Sequence, residues 1–407
     1  MERSSLAKIL LFEILRVIAL YPTGNLVYRL VIYAATTYVM AELFLTPDIT
    51  DLGPTANSLG NRIAVHFGFI TYLLFVEGSF PDHWRRVRDE DHAKESSDNL
   101  PSRLPLMKKL WWMLDIAYSL RLVGWVQEPR DCLPPHPPPL RRRFLLKTSL
   151  KLIMNIVLLD ILTLLTAQNH AFDSRLHDPT DGPETYLAAV PLLHRVPYVL
   201  GYAFSIERGA AAFMNVVHLV CVGLGRSSPT LWLDIWGSWG DAYTVRKLWG
   251  RTWHQTLRPM VSGFGKLVAN KLLKFPRGTN RSSYTQLYIA FFLSAILHFG
   301  GEYMCERRMV YRSFKFFLLQ AVAITFEDFV IFIGKRLLLQ RGIKIDPGNY
   351  RNSWAEVILR VAGYFWVGFW FCLTLPIWSD EASAIGLHVK NRGSIAQFLV
   401  DAGKSWT

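Results

Sequence analysis

The chain has 407 residues, of which 51% are hydrophobic, 14% are aromatic and 19% are charged. Soluble globular proteins carry about 25% charged residues, so this composition argues against an ordinary soluble enzyme and excludes a disordered or collagen-like chain. We attribute the net charge of +13 to basic cytosolic loops that face anionic lipid headgroups, and not to a nucleic-acid partner.

The apolar residues are grouped in blocks that approach the roughly 20 residues needed to cross a bilayer. Residues 5–20 are predicted to form an amphipathic interfacial helix or a weak first span. The apolar block 187–224 is interrupted by charges at Ser205–Gly209, which predicts two spans, or one span with a re-entrant piece. We therefore predict an all-α polytopic membrane protein of about seven to nine transmembrane or re-entrant helices, forming a single domain over residues 1–407. The clearest spans are predicted at 26–45, 61–78, 150–169, 285–301, 313–334 and 354–375.

Charge in the connecting segments predicts the orientation, because cytosolic loops are enriched in Lys and Arg. Residues 81–148, which include a predicted amphipathic helix, and residues 335–351 are basic, so both are placed in the cytosol. Residues 170–186 are acidic and are placed on the lumenal side. If residues 225–284 are also cytosolic, an odd number of crossings lies within 187–224, which favours one crossing with a re-entrant element.

The predicted cytosolic loop 225–284 joins an aromatic cluster to a run of unopposed cations. Between Ala242 and Arg281 there are nine Lys or Arg residues and no Asp or Glu. Beyond Trp253 the apolar residues recur at helical spacing, and Pro259 is predicted to make a break or a fresh start in this helix. Two compatible interpretations stay open: an amphipathic helix on an anionic membrane surface, or a platform for a polyphosphate ligand.

His298 follows a long apolar run inside the predicted span 285–301. Ionisable groups are costly in a membrane and mark function there, and a neutral imidazole accepts a proton near neutral pH. Gly300 and Gly301 permit the close approach of another helix or of a substrate. Glu302 is four residues on and lies on the same helix face, where it either orients the imidazole or ends the helix at the interface.

Several other polar or aromatic residues lie in apolar surroundings, and the sequence predicts a structural role or two alternative roles for each. Glu327 and Asp328, in the predicted span 313–334, either face a polar cavity or mark a helix end. The pair Glu207–Arg208 is predicted to be a paired or packing group. Trp366 is predicted to serve helix packing or the interfacial aromatic belt.

Two segments resemble the wax-synthase branch of the membrane-bound O-acyltransferases, with the greatest similarity to fungal acetyltransferases of terpenoid and meroterpenoid biosynthesis. The segment Trp249–Gln255 has the sequence WGRTWHQ, and His298 follows 44 residues after His254. The resemblance extends over about residues 110–375. An upstream segment is similar to a further family pattern at Arg121, Gly124 and Trp125.

The resemblance implies an acyl-CoA-dependent O-acyltransferase in which His298 is the general base inside a reaction chamber. His254 occupies the position where many relatives have Asn, which leaves open whether it is a hydrogen-bond donor or a second base. Trp253 and Gln255 are further candidate donors to the oxyanion, with Glu302 in a supporting role. The basic rim predicted to bind the coenzyme consists of Arg246, Lys247, Trp249, Arg251 and Arg258.

The predicted reaction transfers acetyl from acetyl-CoA to a hydroxyl of a hydrophobic terpenoid-type metabolite, in a multi-pass protein of the endoplasmic reticulum that contacts membrane lipid. No tightly bound cofactor is predicted. No metal site is predicted either, since the four cysteines form no CxxC pair and have no His at zinc-ligand spacing. The alternatives are a long-chain wax-ester synthase and a membrane transporter. Transporters tend to show internal repeats, and no two halves of this sequence align.

Overall fold

The structure is a computed structural model that describes residues 3–46, 54–76, 84, 100–125, 127–128, 140–167, 191–232, 234–306, 311–340 and 354–384. Every regular element within these residues is a helix, which confirms the all-α fold class. The predicted lumenal segment 170–186 lies outside the described residues, as do parts of the predicted loops 81–148 and 335–351. In chain order the helices are α1 (Arg3–Ile18), α2 (Leu26–Leu45), α3 (Pro54–Thr71), α4 (Leu106–Tyr118), α5 (Arg141–Ala167), α6 (Leu192–Gly223), α7 (Val245–Lys247), α8 (Arg258–Lys266), α9 (Asn280–Glu306), α10 (Arg312–Gln340) and α11 (Trp354–Ala384).

The chain divides into two units, which we call the first unit (Met1–Cys132 with Gln255–Val322) and the second unit (Leu133–His254 with Ala323–Thr407). In the first unit α3 packs along α9, α1 packs against α2, and α8 packs against α9. In the second unit α5 packs along α6, and α11 also contacts α6. The long helix α10 contributes its start to the first unit and its remainder to the second.

Six helices in the described part of the chain are long and apolar enough to cross a membrane, in agreement with the prediction of a polytopic membrane protein. The first of them, α2, coincides with the predicted span 26–45. Helix α5, which contains most of the predicted span 150–169, and α1, predicted as an interfacial helix or weak span, are not among the six. The six are Leu26–Leu45, Thr55–Val76, Leu192–Gly223, Asn280–Glu306, Arg312–Gln340 and Glu356–Ser379.

The apolar segment 187–224 differs from the prediction. No break occurs at Ser205–Gly209, because α6 continues through it as one helix. Glu207 is 2% exposed and pairs with Arg208, whose Nη1 donates a 2.9 Å hydrogen bond to Asn155 Oδ1 in α5. The two charges pair with each other inside the second unit, where Glu207 Oε2 is buried without a hydrogen-bond partner among the described residues, so the helix does not have to break to bring them to water. The prediction of a pair at 207–208 is confirmed, and the prediction of two separate elements was wrong.

Helix α8 lies in the basic segment between Ala242 and Arg281, and its apolar face packs against other residues of the first unit. It begins at Arg258 with Pro259 in its first turn, which confirms the predicted fresh start. Met260 is buried, and Val261 and Phe264 pack against the core of the first unit. This part of the apolar face therefore packs within the first unit, since helical periodicity identifies an apolar face but not what packs on it. The interpretation of the basic segment as a helix on an anionic membrane surface stays a prediction.

The crossing of α3 and α9 brings two backbones into contact. A Cβ atom on Gly60 would lie 2.5 Å from the carbonyl oxygen of Gly300 and 2.9 Å from the Cα of Gly301. Gly300 and Gly301 are themselves buried. Of the two alternatives predicted for these glycines, the structure supports the close approach of a helix. This contact fixes the part of α9 that carries His298.

Replacement of Gly60 by alanine is expected to lower the apparent melting temperature of the detergent-solubilised protein. The added methyl group meets rigid backbone, and overpacking of this kind costs about 1–3 kcal/mol. The matched control is Gly334→Ala in α10, where a Cβ meets nothing within 4 Å. Because alanine favours a helix interior over glycine by about 0.5–1 kcal/mol, the control should raise the melting temperature. An unchanged or raised value for Gly60→Ala would contradict the close contact.

Candidate functional site

The segment with the sequence WGRTWHQ lies mostly in the second unit, and it forms hydrogen bonds with Gly237 and Ser238, which precede it in the chain. The amide of Gly237 donates a 2.9 Å hydrogen bond to the carbonyl of Thr252, and Thr252 Oγ1 donates one of 2.9 Å to the carbonyl of Ser238. A Cβ at Gly237 would collide with the carbonyl of Arg251. Between these contacts, Leu248–Thr252 forms a π-helical turn, a geometry often found at functional sites.

His254 is half-buried beside two tryptophan rings. Its ring centroid lies 5.5 Å from that of Trp236 and 5.9 Å from that of Trp253, and the two indoles meet edge to face at 4.9 Å. Nδ1 of His254 and Nε1 of Trp236 are both buried, and neither has a hydrogen-bond partner within the described residues. A buried polar atom left unpaired costs about 1–3 kcal/mol, so a ligand that pairs with these atoms gains that amount.

The surroundings of His254 also set its charge. Burial lowers the pKa of its imidazole from the ordinary value of 6.5 to about 4, against the smaller opposing effect of a backbone hydrogen bond. At neutral pH the ring is therefore uncharged, with one nitrogen that donates and one that accepts. This charge state suits a hydrogen-bond donor to a carbonyl oxygen. The imidazole is also a weak base, since its pKa lies well below neutral pH.

The start of α7 is held by a carboxylate from α10. Glu327 Oε1 accepts a 2.5 Å hydrogen bond from the amide of Val245, and Oε2 accepts one of 3.1 Å from the amide of Arg246. Trp366 Nε1 donates a 2.7 Å hydrogen bond to Oε1. Neither predicted alternative for Glu327 describes this arrangement: α10 does not end here, and the carboxylate binds another segment of the protein. Trp366, predicted as a packing residue, is also a donor.

Three of the cations that are predicted to bind the coenzyme belong to the second unit, and they differ in the groups that surround them. Arg246 forms a two-point ion pair with Asp328, with Nε 3.0 Å from Oδ1. Lys247 Nζ contacts the hydroxyl of Tyr243 and lies 3.7 Å from the centroid of its ring. Arg251 is exposed and forms no ion pair with any residue that the structure describes. Of the three, Arg251 is the one whose charge is not engaged by any group within the described residues.

The last and the first residue of the motif differ in their packing. Gln255, which is 5% exposed, belongs to the first unit, where its Oε1 accepts a 2.9 Å hydrogen bond from Arg258 Nη1. Trp249, in the second unit, packs against Trp253 at 5.8 Å and against Phe371 at 6.2 Å between ring centroids. The structure therefore places Gln255 and Arg258 together, and joins Trp249 to the indole cluster.

His298 lies in α9 of the first unit and is half-buried. Its imidazole stacks on the ring of Phe317, with centroids 4.9 Å apart and planes inclined by 17°. Nδ1 is shielded from solvent. Phe317 is itself 3% exposed and belongs to the start of α10. The stacking fixes the plane of the imidazole, which a base that must meet a hydroxyl group in one direction requires.

Glu302 does not orient His298 through a hydrogen bond. Its Oε1 accepts 2.9 Å and 2.6 Å hydrogen bonds from the amide and the hydroxyl of Ser313. Ser313 is in the first turn of α10, so the carboxylate caps that helix, where backbone amides lack intrahelical partners. Beyond their shared helix α9, Glu302 is linked to His298 through the start of α10, which carries Phe317.

The upstream segment that resembles the family pattern forms a tight turn in the first unit. Leu122 and Gly124 have positive φ angles of 55° and 75°, and the amide of Trp125 donates a 3.0 Å hydrogen bond to the carbonyl of Leu122. The amide of Gly124 donates one of 2.8 Å to Glu128 Oε2. Trp125 is fully buried, which indicates that this turn serves the core of the first unit.

Residues 232–319 match the membrane bound O-acyl transferase family, and this range includes His254 and His298. Acetyltransferase ple2 of Rhodocybe pseudopiperita is 30% identical over 297 residues, which are 72% of this chain and 70% of that protein. Acetyltransferase eriL of Hericium erinaceus is 33% identical over 291 residues, 70% of each chain. O-Mevalon transferase yanI of Aspergillus niger is 27% identical over 362 residues, 83% of this chain and 77% of the relative. No solved structure matches. The chain belongs to the membrane bound O-acyl transferase family and is an O-acyltransferase.

Proposed function

We propose that this enzyme transfers the acetyl group of acetyl-CoA to a hydroxyl of a hydrophobic terpenoid-type metabolite, in the membrane of the endoplasmic reticulum. Support for acetyl comes from the names of the relatives ple2 and eriL, which are both called acetyltransferases. A membrane-dissolved acceptor suits a chain whose described residues include six apolar helices of spanning length. The observation that carries the chemistry is a half-buried, stacked imidazole, His298, within one of those helices.

His298 acts as the general base in this proposal. The neutral imidazole accepts the proton of the acceptor hydroxyl while the oxygen attacks the thioester carbonyl. The tetrahedral intermediate then expels the thiolate of coenzyme A, and the imidazolium returns the proton to that sulfur. The ester oxygen comes from the acceptor, the acetyl group from the thioester, and the base ends the cycle neutral. Phe317 holds the ring plane through the cycle.

His254 and Trp236 donate hydrogen bonds to the oxygen that becomes negative during the attack. Both have buried nitrogen atoms without a partner among the described residues, and removal of one such donor costs other enzymes about 10²–10³ in rate. Trp253 and Gln255 stay predicted donors of the same kind. The phosphates of the coenzyme are assigned first to Arg251, which forms no ion pair within the part of the chain that the structure describes, and the adenine to Trp249. Lys247 and Arg258 stay predicted members of this rim.

The test supplies the purified enzyme in lipid nanodiscs with labelled acetyl-CoA or labelled palmitoyl-CoA and a panel of terpenoid and fatty alcohols. We expect a labelled acetyl ester of a terpenoid alcohol, and at least about tenfold less product from palmitoyl-CoA. Palmitate transfer to fatty alcohols alone would overturn the acetyl proposal in favour of the wax-ester synthase. Fluorescence of a tagged chain away from an endoplasmic reticulum marker would overturn the proposed location.

A further inference from the structure

The carboxylate of Glu327 is turned inward on a helix whose neighbouring side chains face outward. Glu327 is the sixteenth of the 29 residues of α10, which is long and apolar enough to cross a membrane. It is 6% exposed, whereas Phe326 and Phe329 are 53% and 60% exposed. A carboxylate in such a helix is costly unless polar groups of the protein satisfy it. The second unit supplies those groups.

The groups that satisfy Glu327 are the free amides at the start of α7. The first amides of a helix have no intrahelical acceptor, and here Val245 and Arg246 donate to the two oxygens of Glu327. The next amide, of Lys247, donates a 3.0 Å hydrogen bond to Thr244 Oγ1. All three residues of α7 are thus capped from outside the helix, two of them by a residue about 80 positions along the chain.

Helix α7 is too short to hold this geometry unaided. It has three residues before the π-helical turn Leu248–Thr252 begins, and isolated helices below about 12 residues are marginal in water. The turn contains the first four residues of the motif and is joined to the next, because the amide of Trp253 donates a 2.7 Å hydrogen bond to the carbonyl of Leu248. The position of Trp253, and of His254 after it, therefore depends on where α7 is anchored.

We propose that Glu327 is a positioning residue for acyl transfer: it anchors the backbone at Val245 and Arg246, and so sets the position of Trp253 and His254 in the motif. This inference rests on the proposed function of His254 as a donor. Trp366 locks the carboxylate by its indole N–H. From α11, Tyr364 donates a 3.0 Å hydrogen bond to the carbonyl of Trp239, ahead of the same motif.

Three variants distinguish the loss of the hydrogen bonds at Val245 and Arg246 from a general loss of stability. Glu327→Gln keeps the shape but replaces one acceptor oxygen with an NH₂ group that opposes a backbone N–H. Glu327→Asp keeps both acceptors one methylene further back. The control, Glu356→Gln, removes a carboxylate of the same unit that pairs with Arg360 one helical turn away on the surface, where such pairs contribute about 0.3–0.5 kcal/mol.

The assay measures kcat and the KM of the acceptor alcohol in nanodiscs. Glu327→Gln is expected to lower kcat about 10–100-fold, because a displacement of about 1 Å of a catalytic group has that effect, while KM for the alcohol changes less than about threefold. Glu327→Asp is expected to recover part of kcat, and Glu356→Gln is expected to match wild type. A wild-type kcat in Glu327→Gln would overturn the inference, as would a loss matched by an equal loss of thermal stability.

A second readout does not depend on the reaction. Hydrogen–deuterium exchange over residues 244–248 is expected to be at least about tenfold faster in Glu327→Gln than in wild type, since a lost amide hydrogen bond opens the local structure. Unchanged exchange would overturn the anchor even if acetyl transfer is demonstrated. Faster exchange in an enzyme that transfers no acetyl group would support the anchor and overturn only the proposed function.

Discussion

Replacement of His298 by alanine is expected to lower kcat for acetyl transfer by about 10²–10⁴-fold, which is the usual contribution of a positioned general base. Without the imidazole, the acceptor hydroxyl has to attack while it still carries its proton. Because the side chain is half-buried and its main ring contact is Phe317, the variant should fold with a modest loss of stability. The measurement is the initial rate per mole of folded enzyme, with the apparent melting temperature recorded beside it.

The control for this variant is His194→Ala, which removes an exposed histidine from α6, another helix of spanning length. It should leave the rate within about twofold of wild type, as most exposed substitutions change little. A second variant, Phe317→Leu, keeps the imidazole and removes the ring on which it stacks. We expect it to lower kcat less than His298→Ala. If His298→Ala retained more than a tenth of the wild-type rate, His298 would not be the base.

The spans were predictable because the membrane imposes one strong pattern on the sequence. A run of about 20 apolar residues has few other uses, and the predicted span 26–45 coincides with α2. The error at Ser205–Gly209 arose because charges normally leave the hydrocarbon. Glu207 and Arg208 stay inside because they pair with each other and because Asn155, more than 50 positions away, accepts a hydrogen bond from Arg208. The sequence shows the charges but not this distant partner.

The carboxylates of Glu302 and Glu327 likewise bind partners that the sequence does not show. Their position in apolar segments marked Glu302 and Glu327 as important. Local patterns predicted that Glu302 orients His298 or ends a helix, and that Glu327 faces a cavity or marks a helix end. Both are caps: Glu302 binds the start of α10 at Ser313, and Glu327 binds the start of α7 at Val245. A cap on a distant helix leaves no spacing signature, since the contact depends on packing and not on neighbouring residues.

For the candidate site, the sequence singled out individual residues but did not show what surrounds them. The imidazole of His298 stood out because it interrupts an apolar run, but its stacking on Phe317 depends on tertiary packing. Trp236 was visible only as one of several aromatic residues before the motif. Its role as a candidate donor emerges because Gly237 closes the loop on Thr252, which brings the indole beside His254.

Replacement of His254 by alanine is expected to lower kcat about 10²–10³-fold, whereas replacement by asparagine should retain activity within about tenfold of wild type. Asparagine keeps a side-chain N–H donor but cannot take up a proton near neutral pH. The comparison therefore separates a donor from a second base. Equal losses in the two variants would contradict the donor role, since a base is lost in both and a donor only in one.

The pH dependence provides an independent test of the same role. Burial lowers the pKa of His254 to about 4, so at pH 7 only about one imidazole in a thousand is protonated. Titration of His254 should not change the wild-type rate between pH 5.5 and pH 8, and the log kcat profiles of wild type and His254→Asn are expected to be parallel there. A break near neutral pH that His254→Asn removes would show a base and would contradict the donor.

The lowered pKa of His254 also predicts how the stability of the folded protein changes with pH. An unfolded chain binds a proton at His254 near the ordinary pKa of 6.5, whereas the folded chain does so only near 4. Between pH 4 and pH 6.5 the unfolded chain binds more protons at His254 than the folded chain does. The contribution of His254 to the free energy of unfolding is therefore largest above pH 6.5 and decreases as the pH falls towards 4. His254→Asn lacks this titration, and its apparent melting temperature should fall less than that of wild type between pH 7 and pH 5. Parallel decreases would show that His254 titrates near its ordinary value, in an environment more open to water than the indole cluster provides.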